Sequence, residues 1–355
     1  MKSSMSVLAF SALWALAPLA LAQKAAAPVD LGTLGGGASI AQGVDGTSDQ
    51  VVGQGNVFSD AYQHAFYTNA AGYLEDMGSF VGVYGNSVAN GMNANGGIAG
   101  TSDQIVDSYG DIASHAFYFT SSRTGLVDLG TNGGTLAEGN ATVTGIVVGA
   151  STVAGDAAYN AFYWTKAKGM VNLNTLTGGF GLDGYNSYAF GINAKDVIAG
   201  NSDSFDGTTH AVIWSLKTGA IKDLYTLGGS YAQANAINDT GLIVGFGTLL
   251  GDTQTDAFVG STAGLVSIGS LGGSYAQANG VNDSGVVVGS SNITGDTDVH
   301  AFIWSQQSGG MVDLNSLLPS GTPFIELNSA NAIAPDGTII GVGLALDGQY
   351  HAFAW

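Results

Sequence analysis

The pentapeptide His300-Ala301-Phe302-Ile303-Trp304 belongs to a short string that recurs seven times along the chain. Each copy has Ala in second place, with His, Asn or Asp before it and Phe or Val after it. The copies begin at His64, His115, Asn160, His210, Asp256, His300 and His351. Successive copies start 44 to 51 residues apart, and all five His of the chain occupy this first position. A fixed period of this size indicates a tandem-repeat protein.

Two further strings share this period. Asp313-Leu314 typifies the second string, which follows every copy of the first except the last, and a further copy, Asp30-Leu31-Gly32, precedes them all. The third has the form Asn-x-x-Gly-x-apolar-x-Gly, as in Asn238–Gly245. The closest pair of repeats, Leu227–Gly245 and Leu271–Gly289, agrees at 14 of 19 positions. Such agreement indicates a recent internal duplication.

A single repeat predicts four short strands. In the sixth repeat, Gly264–Ile268 and Tyr275–Val281 are apolar, Val286–Val288 is β-branched and His300–Trp304 alternates. Asn282-Asp283-Ser284-Gly285 predicts a turn between two of them. Four strands in 44 to 51 residues match a propeller blade. We therefore predict an all-β fold, a seven-bladed β-propeller of four-stranded blades, with a parallel β-solenoid as the structural alternative.

The two ends of the repeat array predict how such a ring closes. The first Asp-Leu-Gly strand, near Asp30, has no preceding partner, and the last His-Ala-Phe strand, which ends at Trp355, has no following partner. Pairing Val29–Leu31 with His351–Trp355 removes two exposed strand edges. We therefore predict one domain over residues 23–355, closed by pairing of its terminal strands.

The three strings resemble the bacterial extracellular repeats named after His-Ala-Phe, the HAF family. The matching segments are His300–Trp304, Gly310–Leu314 and Ile237–Gly241. The resemblance covers essentially all of residues 23–355, although the third and fifth copies depart at the His position and the fourth at the Phe position. It implies export and a repeat architecture, and it implies no known reaction or ligand.

The first residues of the chain predict export. Lys2 is followed by an apolar run from Val7 to Leu21, and Ala20-Leu21-Ala22 has the small-x-small pattern of a cleavage site. We expect a signal peptide over residues 1–22, a secreted or periplasmic bacterial protein, and no membrane span after cleavage. The chain has no Cys, so a large core or closure of its sheets must replace the disulfides common in secreted proteins.

Acidic residues far outnumber basic ones, 27 to 8, which gives a formal net charge of −19. A nucleic-acid partner is excluded, because binding a phosphate backbone requires a face of Lys and Arg. We expect a monomer that binds an extracellular ligand, either a protein or a glycan.

An Asp lies four residues before the His position in every repeat. We interpret this Asp and the His-position residue as structural repeat positions, because repeat-equivalent groups are spread around a ring and do not converge on one point. They are Asp60, His64, Asp111, His115, Asp156, Asn160, Asp206, His210, Asp252, Asp256, Asp296, His300, Asp347 and His351. We expect no cofactor, but Ca²⁺ bound by acidic loops stays open, with Asp103, Asp107 and Asp111 as candidate ligands.

The sequence contains neither G-x-S-x-G nor H-E-x-x-H, two common motifs of hydrolases. We therefore expect a non-catalytic binding or surface-interaction module. The alternatives are a propeller-fold carbohydrate-active hydrolase or lyase and a Ca²⁺-stabilised structural module. A non-repeated cluster of carboxylates or Tyr in the channel would favour an enzyme. The aromatic residues that fit a binding face are Tyr84, Tyr109, Tyr185 and Tyr188.

Overall fold

The computed structural model describes residues 27–46, 49–105, 112–120, 123–175 and 183–355. Strands dominate these segments, and their helices are short 3-10 turns at Gly82–Tyr84, Ala154–Asp156, Leu173–Thr175 and Leu314–Leu317. In the described segments we find no helix with the length and apolar character needed to span a bilayer. The predicted signal peptide and the candidate cation ligands Asp107 and Asp111 lie outside the described residues.

Three four-stranded antiparallel sheets follow one another in the first half of the chain. Their strands are β2 (Gly35–Val44), β3 (Val51–Val57), β4 (Gln63–Thr68) and β5 (Leu74–Asp76); β6 (Ser87–Met92), β7 (Ile98–Ile105), β8 (Ile112–Phe119) and β9 (Val127–Asp128); and β10 (Gly133–Val143), β11 (Ile146–Val153), β12 (Tyr159–Thr165) and β13 (Gly169–Asn172). In each sheet the strands lie side by side in chain order.

A fourth four-stranded sheet combines segments from opposite ends of the chain. It contains β1 (Val29–Asp30), β28 (Tyr350–Ala354), β27 (Ile339–Ala345) and β26 (Phe324–Ile333), in that order. β1 and β28 are antiparallel, with Val29 opposite Ala354 and Asp30 opposite Phe353.

The remaining strands form one sheet of twelve. They are β14 (Asp183–Ile192), β15 (Val197–Ser204), β16 (Thr209–Ser215), β17 (Ala220–Tyr225), β18 (Gly228–Ile237), β19 (Ile243–Leu249), β20 (Thr255–Ser261), β21 (Gly264–Gly269), β22 (Gly272–Val281), β23 (Val287–Ile293), β24 (Val299–Trp304) and β25 (Val312–Asp313). Two parallel contacts, Thr209 with Tyr231 and Thr255 with Tyr275, join three groups of four strands. The described residues therefore form five sheets where the sequence predicted seven, because these contacts merge three groups.

The Phe of the repeated string fills the core between neighbouring groups of strands. Phe353 of β28 is fully buried and packs with Val288 and Ala301 of the preceding group. The last Gly of the third string lies beneath the Phe of its own group: a Cβ on Gly245 would lie 1.9 Å from the Gln233 carbonyl oxygen and 2.8 Å from the Phe258 ring. This close approach explains why the Gly and the Phe recur together.

Candidate functional site

Every His of the repeated string pairs through Nδ1 with an Asp of the second string. The pairs are His64–Asp76 (2.9 Å), His115–Asp128 (3.0 Å), His210–Asp223 (3.0 Å), His300–Asp313 (2.7 Å) and His351–Asp30 (2.8 Å). A carboxylate at Nδ1 holds the Nδ1–H tautomer, which leaves the Nε2 lone pair free to accept. The sequence singled out the His residues but did not identify these Asp residues as their partners.

The two repeats without His retain a polar pair of different composition. In the third repeat the Asn174 side chain donates from Nδ2 to Asn160 Oδ1 at 3.1 Å. In the fifth, the Ser267 hydroxyl donates to Asp256 Oδ2 at 2.5 Å. In both repeats the second string has also changed. A hydrogen bond between the His-position residue and the second string therefore replaces the His–Asp pair.

In four repeats the Asp that precedes the His position bonds to the first strand of its own group. The carboxylate and the backbone N–H donor pair as Asp60 with Gly37 (2.6 Å), Asp156 with Thr135 (2.7 Å), Asp252 with Ser230 (2.7 Å) and Asp296 with Ser274 (2.7 Å). These four Asp residues have φ of 54 to 55°, in the left-handed region. Hydrogen bonds to the charged form lower the pKa of all four carboxyls. The main donor is a backbone N–H for Asp60 and Asp296, and a Thr hydroxyl for Asp156 and Asp252.

Two of the preceding Asp residues bond locally instead. Asp206 accepts from the backbone N–H of Thr208 at 3.0 Å, and Asp347 accepts from that of Gln349 at 2.9 Å. In both repeats a Gly follows the Asp, and this Gly, rather than the Asp, has positive φ (85° at Gly207). In these two repeats the carboxylate therefore stays within its own loop.

The candidate Ca²⁺ ligands are not brought together among the described residues. Asp103 accepts two hydrogen bonds from Asn86, one from the backbone N–H at 2.8 Å and one from the side-chain amide at 3.0 Å. Its proposed companions Asp107 and Asp111 lie outside the described residues. Asp103 thus fixes the start of β6 through Asn86.

The first strands of the groups face an inner cavity of about 350 Å³. One equivalent position from each first strand lines it: Gln42, Asn90, Asn140, Phe190, Asn235, Asn279 and Asn331. Gln233 and Gln277 complete the lining. The wall is therefore rich in carboxamides, which offer donors and acceptors without charge.

The five Asn residues of this wall, here called the amide belt, bind the backbone of the next first strand. Each Nδ2 donates to a carbonyl oxygen, as Asn90 to Gly139 (2.9 Å), Asn140 to Ala189 (3.0 Å), Asn235 to Ala278 (2.9 Å), Asn279 to Ala330 (3.0 Å) and Asn331 to Ala41 (2.8 Å). The belt therefore joins neighbouring first strands through side chains. Two of its Oδ1 atoms already accept within the protein, Asn235 from the Gln233 amide at 2.8 Å and Asn331 from the Ser329 hydroxyl at 2.7 Å.

A cluster that breaks the repeat adjoins the cavity at Phe190 and Gln233. We call Glu138, Tyr159, Tyr188 and Tyr231 the tyrosine–glutamate patch. The Tyr159 and Tyr188 rings stack with centroids 5.4 Å apart, and Tyr188 stacks on Phe190 at 6.1 Å. The Tyr231 hydroxyl donates to Gln233 Oε1 at 2.6 Å. Aromatic faces, phenolic hydroxyls and one carboxylate thus lie next to one side of the cavity lining.

The patch is electrostatically unusual. Glu138 is open to solvent but surrounded by neighbouring strands, and this partial burial raises the pKa of its carboxyl. The pKa of Tyr188 is raised to about 12, mainly by burial. The neighbouring Tyr groups and the negative charges of Glu138 and Asp203 add to this shift. Burial and Glu138 raise the pKa of Tyr159 in the same direction. Such shifts are expected where acidic groups share a site without a balancing cation.

The sequence found only part of this site. Tyr188 was expected on a binding face and lies in the patch, whereas Tyr84 is 72% exposed and meets Tyr62 edge to face. Tyr109 lies outside the described residues, as does the side chain of Tyr185. Glu138 and the amide belt were missed. Both lie on the first strand, where comparing equivalent repeat positions reveals a lone Glu and a recurring Asn.

Comparison with known proteins bears on the fold. No protein-family profile and no curated protein matches the chain. The β-propeller domain of the Trilobed protease from Pyrococcus furiosus superposes with a TM-score of 0.54 at 8% identity, over 89% of this chain and 95% of that one. A puromycin hydrolase complexed with PGG gives 0.53 at 13% identity, over 89% of this chain and 50% of that one. The chain has a β-propeller fold.

TolB from Acinetobacter baumannii is more distant, with a TM-score of 0.43 at 14% identity, over 63% of this chain and 52% of that one. The chain thus spans about half the length of TolB and of the puromycin hydrolase. The prediction of a non-catalytic binding or surface-interaction module is wrong, because the structures to which the chain is similar include a protease propeller domain and a puromycin hydrolase. Its alternatives, a carbohydrate-active enzyme and a Ca²⁺-stabilised module, are withdrawn with it.

Proposed function

We propose that this chain is a seven-bladed β-propeller that receives peptide substrates in a peptide-hydrolysing system and holds their positively charged end in its inner cavity. The observation behind the proposal is the tyrosine–glutamate patch, where Glu138 lies beside the stacked Tyr159 and Tyr188 rings, next to Phe190 of the cavity wall. Three features of the structure support it: the grouping of the strands into sets of four, the contacts between the first and last repeats, and the chemistry of the patch.

The strand pairing supports seven blades. Four sheets have four strands, and the twelve-stranded sheet divides into three antiparallel groups of four because each parallel contact between them is a single residue pair. Each group has the same order of strands and an equivalent residue on the cavity wall. Counting each group as one blade gives the seven repeats of the sequence.

Contacts between the first and last repeats support a closed ring. β26 lies against β2 as the other first strands lie against their neighbours. Asn331 continues the amide belt to Ala41, and Asp30 supplies the partner of His351. The Ser39 hydroxyl also accepts the Ala352 backbone N–H at 2.9 Å. A ring of this kind leaves few unpaired strand edges, which suits a chain without disulfides.

The resemblance to HAF repeats leads us to propose, in addition, that the protein is exported from a bacterial cell and acts in the periplasm or outside it. The net charge of −19 suits a cationic ligand there, because a negative surface raises the local concentration of positive groups.

The patch has the chemistry of an amine site. A carboxylate accepts charge-assisted hydrogen bonds from an ammonium group, and Tyr ring faces attract cations by roughly 0.5–2 kcal/mol each. The amide belt adjoins the patch and presents acceptors for the N–H groups of an extended peptide. A peptide with a free amino terminus, or with Lys or Arg near its end, can bind the patch through its positive charge and the amide belt through its backbone.

The similar proteins supply the context of hydrolysis. One is a propeller domain of a protease, and the other is a puromycin hydrolase of which the matched region is half. We propose the same association here, in which the propeller belongs to the peptide-hydrolysing system and selects the peptide for cleavage.

Fluorescence anisotropy with short labelled peptides tests this function. A peptide with a free amino terminus should bind, and its acetylated form should bind at least tenfold more weakly. Glu138→Gln should weaken binding of the free-amine peptide by about tenfold, which is equivalent to roughly 1.4 kcal/mol of binding free energy. Glu75→Gln is the matched control, because Glu75 is exposed on β5 and pairs with Asn69. Equal affinity for both peptides, or no effect of Glu138→Gln, contradicts the proposal.

A further inference from the structure

A second acidic cluster lies away from the cavity wall, where the sixth and seventh repeats meet. Asp298, His300 and Glu326 each direct one ligand atom into a common space, with these atoms all within 4.8 Å of one another. We propose that these three residues bind a divalent transition-metal ion, for which Zn²⁺ is the best match. The proposal is independent of the peptide function.

The His300 ring is oriented for metal binding. Its Nδ1 lies 2.7 Å from Asp313, so the neutral ring presents the lone pair of Nε2 on its opposite side. That Nε2 is 4.0 Å from Glu326 Oε2, too far for a hydrogen bond. A carboxylate at one nitrogen of a His and a metal at the other is the usual arrangement around protein-bound zinc.

Both carboxylates are anchored by one oxygen and keep the other for a ligand. Asp298 Oδ1 accepts the Val299 backbone N–H at 2.8 Å. Glu326 Oε1 accepts from the Asn328 side-chain amide, which also donates to the Val299 carbonyl oxygen. The ligand atoms lie within 4.8 Å of one another, and Nε2 lies 4.0 Å from Glu326 Oε2, against roughly 3.3 Å between ligand atoms on a tetrahedral Zn²⁺ at 2.0–2.1 Å. Side-chain rotations of the exposed Asp298 and of Glu326 are needed to close this gap.

The charge of the cluster calls for a cation. Asp298, Glu326 and nearby Asp313 bring three carboxylates around one imidazole. In the described part of the chain, the Lys and Arg residues form a single ion pair, Lys217 with Asp196, which lies in another repeat. A divalent ion offsets the repulsion, and one imidazole with two carboxylates is a donor set suited to Zn²⁺.

The other repeats lack this combination. Next to His210, the position of Asp298 is taken by Thr208, whose hydroxyl lies 2.7 Å from His210 Nε2 and donates to Asp206 Oδ1 at 2.6 Å, so a neutral hydroxyl stands there in place of a carboxylate. His351 has one carboxylate near Nε2, Asp347 at 3.5 Å. Five repeats supply an oriented His, and only the sixth adds two carboxylates to it among the described residues.

Metal titration of the purified, untagged chain after chelator treatment tests the site. Co²⁺ serves as a spectroscopic probe, and competition with Zn²⁺ reports the affinity for zinc. We expect one equivalent of Co²⁺ to give a visible absorption band that Zn²⁺ abolishes. Asp298→Asn and Glu326→Gln should each weaken binding at least tenfold, and Asp313→Asn should weaken it 10–100-fold by releasing the ring.

His210→Gln is the matched control, because it removes an equivalent His–Asp pair without the two carboxylates, and it should leave Co²⁺ binding unchanged. Far-UV circular dichroism of Asp298→Asn, a substitution at an exposed side chain, confirms that the variant is folded. The proposal is overturned if the chain binds no stoichiometric Co²⁺, or if folded Asp298→Asn and Glu326→Gln bind it as tightly as the parent.

Discussion

The side-chain amide of Asn331 donates to the carbonyl oxygen of Ala41 at 2.8 Å, although the two residues are 290 positions apart in the chain. The same bond links Asn279 to Ala330 and the other members of the amide belt to their neighbours. The first and last repeats therefore meet through the contact that joins consecutive repeats. The proposed closure of the ring therefore rests on the same hydrogen bonds that join consecutive repeats.

A cross-link tests that closure. Val29 and Ala354 are directly opposite in the antiparallel pair of β1 and β28, at a separation typical of disulfides. Because the chain has no Cys, the double variant V29C/A354C can form one intramolecular disulfide, and we expect complete oxidation in air. V29C/A332C is the control, since Ala332 lies on β26, three strands from β1. A failure of V29C/A354C to oxidise within the monomer contradicts closure.

The His–Asp pairs should stabilise the fold according to the burial of the His. The His64 side chain is 2% exposed, and its Nε2 is buried without a hydrogen-bond partner among the described residues. Asp76→Ala leaves that ring without Nδ1 pairing and should lower the free energy of unfolding by about 1–3 kcal/mol. Asp128→Ala should cost less, because His115 is 15% exposed and water can replace the carboxylate. Urea unfolding compares the two, and an equal or smaller loss for Asp76→Ala disproves the ranking.

Gly229, near the start of β18, leaves no room for a larger side chain. A Cβ on Gly229 would lie 2.5 Å from Asp252 Oδ1 and 2.3 Å from Thr248 Oγ1. Gly229→Ala should therefore displace the carboxylate from its backbone donor and destabilise the protein by about 1–3 kcal/mol. Gly310→Ala is the control, because a Cβ there meets no atom within 4 Å. Thermal melts that show equal stability for both variants contradict this explanation.

The sequence predicted the all-β propeller fold because the repeats made one pattern visible seven times. Alternation, Gly-rich turns and the buried Phe predicted four strands per repeat, and the described strands agree with these in order. The sheet count was wrong because single contacts such as Thr209 with Tyr231 depend on how closely neighbouring blades approach. No pattern within one repeat encodes that distance.

The site was harder to predict for a related reason. The repeats drew attention to conserved-looking His positions, whereas the patch and the proposed metal site arise where repeats differ, at Glu138 and at Asp298 with Glu326. Glu326 meets His300 through the packing of consecutive blades, which is a three-dimensional relation. The His partner was missed likewise, because Asp313 follows His300 by 13 residues across a strand pair.

Peptide binding should depend on pH through Glu138. Burial raises the pKa of this carboxyl, so it takes up a proton at a higher pH than an ordinary Glu. A peptide amine stays protonated below about pH 8. Attraction is therefore complete above the raised pKa of Glu138 and is lost as the pH falls through it.

Anisotropy titrations from pH 7 to pH 4 follow this loss. The parent protein should lose affinity for the free-amine peptide on the acidic side of neutrality, at a higher pH than the ordinary Glu pKa of about 4.3. Glu138→Gln should bind weakly and show a flat profile over the same range, while Glu75→Gln should follow the parent. If the Glu138→Gln profile falls as steeply as that of the parent, another group controls the pH dependence and Glu138 is not the amine partner.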